Sequence, residues 1–157
     1  MKKSKPSFEK INYMFRPKKQ IERKILIELF QKIQNTLNIN ISEYRYIGLG
    51  SIYYYDFILF HKYLNIRDMV SLDDKEDYNR FEFNKPFDFI IFKSMSTTSF
   101  LLNDDLDKKS FIWFDYDSSL ISYNSKNKTF LNTETIFEDI QIITKKKQKI
   151  RLVYSYD

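Results

Sequence analysis

Both glycines of the 157-residue chain lie two positions apart, Gly48 and Gly50, inside the stretch YRYIGLGSIYYYD from Tyr44 to Asp56. Glycine permits positive φ and lets a ligand approach the backbone with no Cβ in the way. An apolar strand, a G-x-G turn and a helix start with unpaired N–H groups make a site for a nucleotide-like ligand. A plain tight turn from strand to helix would use the same residues, so the motif alone leaves both readings open. Four aspartates add a second kind of chemistry. Asp73 and Asp74 close the apolar run DMVSL, while Asp115 and Asp117 fall at the end of SFIWFDYD. Carboxylates at strand ends can accept ribose hydroxyls, take a proton, or hold Mg²⁺. They also stand there as turn formers and helix caps. His61, the single histidine, is the rival base, but its place near the end of a helix suits a bond to helix carbonyls.

The elements that must position these residues follow from periodicity. Pro17 suits the first position of a helix over 18–37, and Ile21, Ile25, Leu26, Leu29, Phe30, Ile33 and Leu37 recur at spacings that share one face. The other face, with Lys18, Lys19, Arg23, Lys24 and Glu28, is expected to meet solvent or a partner. Strands are expected over 44–49, 68–72, 87–92, 110–116 and 150–154, with helices over 53–64 and 134–143. The third strand, FDFIIF, has the continuous apolar run of a strand covered on both faces. Residues 93–109 carry no clear helical pattern. Residues 1–15 form an N-terminal arm and 16–157 one domain. The order is that of an α/β fold with a Rossmann-like, mainly parallel sheet and flanking helices. Its ligands would sit at the carboxyl ends of the strands, where Gly48 to Ser51, the Asp73 pair and the Asp115 pair converge. Asp73 lies 23 residues after Gly50, about where a strand-end acid meets ribose hydroxyls in dinucleotide-type folds.

Composition narrows the classes. With no cysteine and one histidine, neither a disulfide framework nor a thiolate or multi-histidine zinc site can be built. No run of about 18 apolar residues is present, so no membrane span or signal peptide is expected, and the cytoplasm is the expected compartment. The net charge of +5 is uneven: residues 1–50 carry 11 basic and 4 acidic groups, 51–140 carry 10 and 16, and 141–157 carry 5 and 1. Basic ends can meet nucleic acid, but no nucleic-acid module is legible, and that partner is not favoured.

The layout resembles the class I, Rossmann-like S-adenosylmethionine-dependent methyltransferases. More closely, RPKKQIERKIL (Arg16 to Leu26), YRYIGLGSIYYYDFILFHKYLNI (Tyr44 to Ile66), RFEFNKPF (Arg80 to Phe87) and IWFDYDSSL (Ile112 to Leu120) resemble a bacterial family described as putative O-methyltransferases. That resemblance implies S-adenosylmethionine as cofactor, with Gly48, Gly50 and Ser51 near its methionine part and Asp73 on its ribose. Asp115 and Asp117 would line the methyl-acceptor pocket, one of them as general base. Arg16, Lys18 and Arg23, beside Glu22, would bind an anionic acceptor or simply form a solvated helix face. The sequence departs from the usual loop: Ile52 stands where a third glycine would, and Tyr46 and Ile47 precede Gly48 without an acid. Five strands are expected where a full class I methyltransferase has seven, which leaves an open sheet edge for a missing part or a partner chain. Two other functions remain: a catalytically inactive ligand-sensing or assembly subunit, and a Mg²⁺-dependent nuclease using the strand-end aspartates. A dehalogenase-like phosphatase fits poorly, since its D-x-D strand comes first and here the comparable strand is fourth.

Overall fold

The computed structural model describes residues 17–74, 78–104, 106–116, 121–124, 129–132, 134–146 and 151–156. Arg16 and Asp117 lie outside them. In chain order the elements are α1 (Pro17–Leu37), a 3₁₀ turn (Ile41–Glu43), β1 (Arg45–Leu49), α2 (Tyr55–Leu64), β2 (Asp68–Asp73), α3 (Tyr78–Asn84) and β3 (Ile90–Ser94). There follow α4 (Thr97–Asn103), β4 (Ser110–Tyr116), β5 (Ile121–Asn124), β6 (Thr129–Asn132), α5 (Glu134–Lys145) and β7 (Arg151–Tyr156). Five strands form one parallel sheet in the order β3-β2-β1-β4-β7, and β5 pairs with β6 in a separate antiparallel hairpin. The expected α/β fold with a Rossmann-like parallel sheet is therefore present. The chain steps outward from β1 to β3 and then returns to the far side of β1, which makes the β1/β4 crevice the topological switch point.

Alternation along each strand assigns the two faces of the sheet. Tyr46, Met69, Phe111 and Trp113 point to α1, α2 and α3, where they join Phe30, Phe57, Phe60 and Phe81. Ile47, Val70, Leu72, Ile112 and Phe114 point the other way and join Phe100 and Leu101 of α4 and Ile143 of α5. The first face is an aromatic core. The Tyr46 ring centroid lies 4.8 Å from those of Phe57 and Phe60, and the Phe111 ring lies 4.2 Å from Phe30. Each such buried ring contributes about 1.5–3 kcal/mol, so this face supplies much of the force that presses α1 and α2 onto the sheet. On the opposite face, Thr97 and Thr98 each donate a 2.6 Å hydrogen bond to buried Asp139, which ties α4 to α5. At the amino end, Asp68 receives Arg45 at 3.2 Å and Lys108 at 2.5 Å, which fixes the starts of β1 and β2 together.

Three expectations are corrected. The third strand begins at Ile90, not at 87, because Phe87 accepts a hydrogen bond from the Ile90 N–H and closes a turn after Pro86. It is also an edge strand covered on one face only, with Ile90 and Phe92 buried and Ile91 51% exposed. Residues 97–103 form a helix that the polar sequence hid, started by Ser96, whose hydroxyl accepts from the Ser99 N–H. The largest correction concerns α1. Lys19 and Arg23, expected on its outer face, are completely buried, whereas Ile21, Ile25, Leu29 and Leu37 are exposed. Leu26 and Phe30 are buried as expected, and Ile27 joins them in the apolar contact. Apolar residues cover more than one face of this helix, so spacing could not choose between them. The inward arc is the one whose buried cations also find carboxylates elsewhere in the chain.

Candidate active site at the carboxyl edge

Those carboxylates stand at the carboxyl ends of the strands. Asp115, the sixth residue of β4, lies on the α1 side of the sheet, and Lys19 Nζ reaches its Oδ1 at 2.5 Å. The same ammonium lies 3.2 Å from Glu22, one turn along α1. Beside Glu22 in sequence and also one turn from Lys19, Arg23 donates through Nε to Asp56 in the first turn of α2. Its guanidinium stands 5.1 Å above the Tyr55 ring, and the Tyr55 hydroxyl donates to Gln20 at 3.2 Å. Two cations and three carboxylates are thus gathered where α1, α2 and β4 meet. Burial pushes the Asp56 carboxyl above its usual range, and the Arg23 charge opposes that shift. The Tyr46 hydroxyl beneath is raised as well, by burial and then by the Asp56 charge.

The glycine turn is built differently from its expectation. Gly48 lies inside β1, paired with Ser71 on one side and Trp113 on the other, and a Cβ there would strike the Tyr46 phenol. Gly50 follows the strand and donates to Leu72 O at 2.7 Å. A Cβ at Gly50 would meet the Ser71 hydroxyl, with Phe81 Cε1 at 3.3 Å. Neither glycine has a positive φ. Both are needed for room, and the room is filled by the protein's own side chains. The left-handed residue is Tyr54, at φ 47°, the N-cap of α2. An aromatic residue seldom takes that conformation, which costs of order 1–3 kcal/mol. Its compensation is complete burial and a 3.1 Å hydrogen bond from its hydroxyl to Phe81 O. Ser51 starts this turn, accepting from Tyr53 N at its hydroxyl and from Tyr54 N at its carbonyl. No motif in the sequence marks Tyr54 for this role.

Asp73 ends β2, half-buried, on the same face as Met69 and Ser71. Its charge helps raise the pKa of the Tyr54 hydroxyl, after the larger effects of burial and Glu82. Asp74 beside it is exposed. With β1 between β2 and β4, Asp73 and Asp115 flank Gly50 across two strand spacings, about 10 Å. The structure thus brings Gly50, Ser51, Asp73 and Asp115 to one edge. It adds Lys19, Glu22, Arg23 and Asp56, of which only Arg23 was singled out as a site residue. Lys18 is exposed and does not share a surface with buried Arg23. His61 is remote from this edge: its Nδ1 is 3.0 Å from Ile66 O before β2 begins, and its ring packs against the stacked pair Phe87 and Phe89. Among the described residues, no three His, Asp or Glu side chains gather as a metal site.

A family model described as putative O-methyltransferase matches residues 11–154. The chain belongs to that family. Comparison with curated proteins finds no match. Three features stand together at the carboxyl edge around β1. An acid ends β2, Gly50 and Ser51 follow β1, and the N-terminus of α2 has no side-chain cap. These residues fit S-adenosylmethionine in chemistry: Asp73 offers a carboxylate for the ribose hydroxyls and the α2 N–H groups offer donors for a carboxylate.

The packing of Gly50 yields a direct test. Gly50→Ala is expected to lower stability by about 1–3 kcal/mol through overpacking against Ser71. Ser71→Gly in the same chain should recover a large part of that loss in urea unfolding. Additive losses would mean that the two positions do not compete for space.

Proposed function

We propose that the protein is an S-adenosylmethionine-dependent O-methyltransferase whose cofactor lies between Asp73 and the start of α2 and whose methyl acceptor lies beside Asp115. The observation that carries the reading is the half-buried carboxylate of Asp73 at the β2 end, one strand from the Gly50 turn, in a family member with the β3-β2-β1-β4 order. When bound, S-adenosylmethionine supplies an electrophilic methyl group on a sulfonium sulfur. Asp73 would accept both ribose hydroxyls, which fixes the orientation of the nucleoside. Asp115 would take the proton from the acceptor hydroxyl as oxygen becomes the nucleophile. Lys19, at 2.5 Å, would hold that carboxylate in place and balance its charge while the site is empty. Asp117, outside the described residues, stays a candidate for the same pocket, as does Arg16 for an anionic acceptor. Lys18 and Arg23 were grouped with Arg16, but burial makes Arg23 a support for Asp56 rather than a direct contact for an acceptor.

The sensing or assembly reading draws support from one feature, that Asp115 and Asp56 already hold Lys19 and Arg23 as partners. Calorimetry followed by product detection separates the two. S-adenosylmethionine is expected to bind at one site per chain, and a panel of phenols and other hydroxylated acceptors should yield S-adenosylhomocysteine. Binding without product from any acceptor would favour the sensor; absence of binding would remove the cofactor altogether.

A further inference from the structure

The correction to α1 leaves an apolar ridge facing outward. Ile21, Ile25 and Leu29 recur at every fourth position and are 58%, 57% and 44% exposed. Three aliphatic side chains in one row on a helix whose opposite face is buried form a continuous patch rather than scattered surface residues. Rows at this spacing pack into the grooves of a like row on another helix, in the commonest class of helix crossing. Beside the ridge runs a second row at the same spacing, Lys24, Glu28 and Lys32, all exposed.

We propose that this ridge is a self-association surface on which a second copy of the chain docks with its α1 antiparallel. The charge order identifies the occupant. In a two-fold pair of antiparallel helices the same flank of each helix faces its counterpart, so every contact is made twice. With the axis passing between Ile25 and Leu29, Lys24 of each copy comes opposite Glu28 of the other. The single acid of the row then lies among the bases of the partner, and the two ridges close on each other. A surface that complements itself in both shape and charge fits a copy of itself. The ridge is smaller than the roughly 800 Å² per partner of a standard stable complex, so the dimer is expected to be concentration-dependent. This inference stands apart from the methyltransferase reading, since α1 meets the carboxyl edge through its other face.

Sedimentation across a protein concentration series tests it, with circular dichroism to verify that each variant is folded. The wild-type chain is expected to pass from monomer to dimer. Ile25→Asp should stay monomeric throughout, and Glu28→Lys should weaken association by about tenfold or more by placing like charges opposite each other. The swap Lys24→Glu with Glu28→Lys should restore it, because the pair is re-formed with its signs exchanged. A wild type that is monomeric at every concentration overturns the proposal. So does a dimer that Ile25→Asp leaves unchanged. A monomer in which Ile25→Asp lowers the melting temperature would place a segment of the same chain on the ridge and would equally overturn it.

Discussion

Lys19→Met is expected to cost about 3–5 kcal/mol of stability, measured by urea unfolding, although the new side chain is apolar and of similar length. The reason is what it leaves behind. Lys19 is completely buried and faces Asp115 at 2.5 Å and Glu22 at 3.2 Å; their side chains are 11% and 24% exposed. Removing the ammonium takes a buried positive charge away from two carboxylates in a place that water reaches poorly. Partial exposure of Glu22 trims the loss toward the lower bound. The double variant Lys19→Met with Asp115→Leu removes both charges and should recover most of the stability, since a buried ion pair is often no better than a well-packed apolar pair. Its function should nevertheless be lost if Asp115 is the base. A cost below about 1 kcal/mol for the single variant would mean that the pair does not hold α1 to the sheet.

The neighbouring pair has a pH signature of opposite sense to an ordinary salt-bridged acid. Burial raises the Asp56 carboxyl above its unfolded value despite Arg23. The folded state therefore holds this proton more tightly than the unfolded chain does. Its contribution to stability is greatest at acid pH and falls as pH rises from the ordinary carboxylate range through the raised value. Arg23 limits that loss by favouring the charged form.

Much of the carboxyl edge was legible because strand ends are written in short signals. Apolar runs closed by aspartate located β2 and β4, and the glycine pair located the end of β1 to within a residue or two. What failed were the inferences that needed a third dimension. The α1 pattern offered two apolar arcs, and the partners of the inward one lie elsewhere in the chain: Phe111 for Phe30, and Asp115 and Asp56 for Lys19 and Arg23. The glycines were read for conformational freedom or ligand clearance, whereas the structure uses them to admit Tyr46 and Ser71. Tyr54 takes the left-handed conformation through tertiary burial, for which the local sequence carries no sign. The Thr97–Asn103 helix was hidden because its anchor, Asp139, lies 42 residues away from Thr97.

That division also shows where a ligand can be tested. Gly48, Tyr46 and Lys19 are committed to packing, whereas Asp73 stands at the end of its strand, half-buried, at the proposed ribose position. Asp73→Ala is expected to weaken S-adenosylmethionine binding by about 1.5–3 kcal/mol, or roughly one to two decades in affinity, with urea unfolding to verify that the variant is folded. Asp74→Ala should change binding much less, because successive residues at a strand end point to opposite sides and Asp74 is already exposed. Calorimetric titration of both variants reads the asymmetry directly. Equal losses would mean that the two carboxylates act as a pair, as a metal-dependent nuclease would require, and would move the chemistry away from methyl transfer. If the wild type binds and neither variant weakens it, the nucleoside is held elsewhere along the edge. The uncapped start of α2 and the Asp115 end of β4 would then be the places to look, since both border the same crevice between β1 and β4.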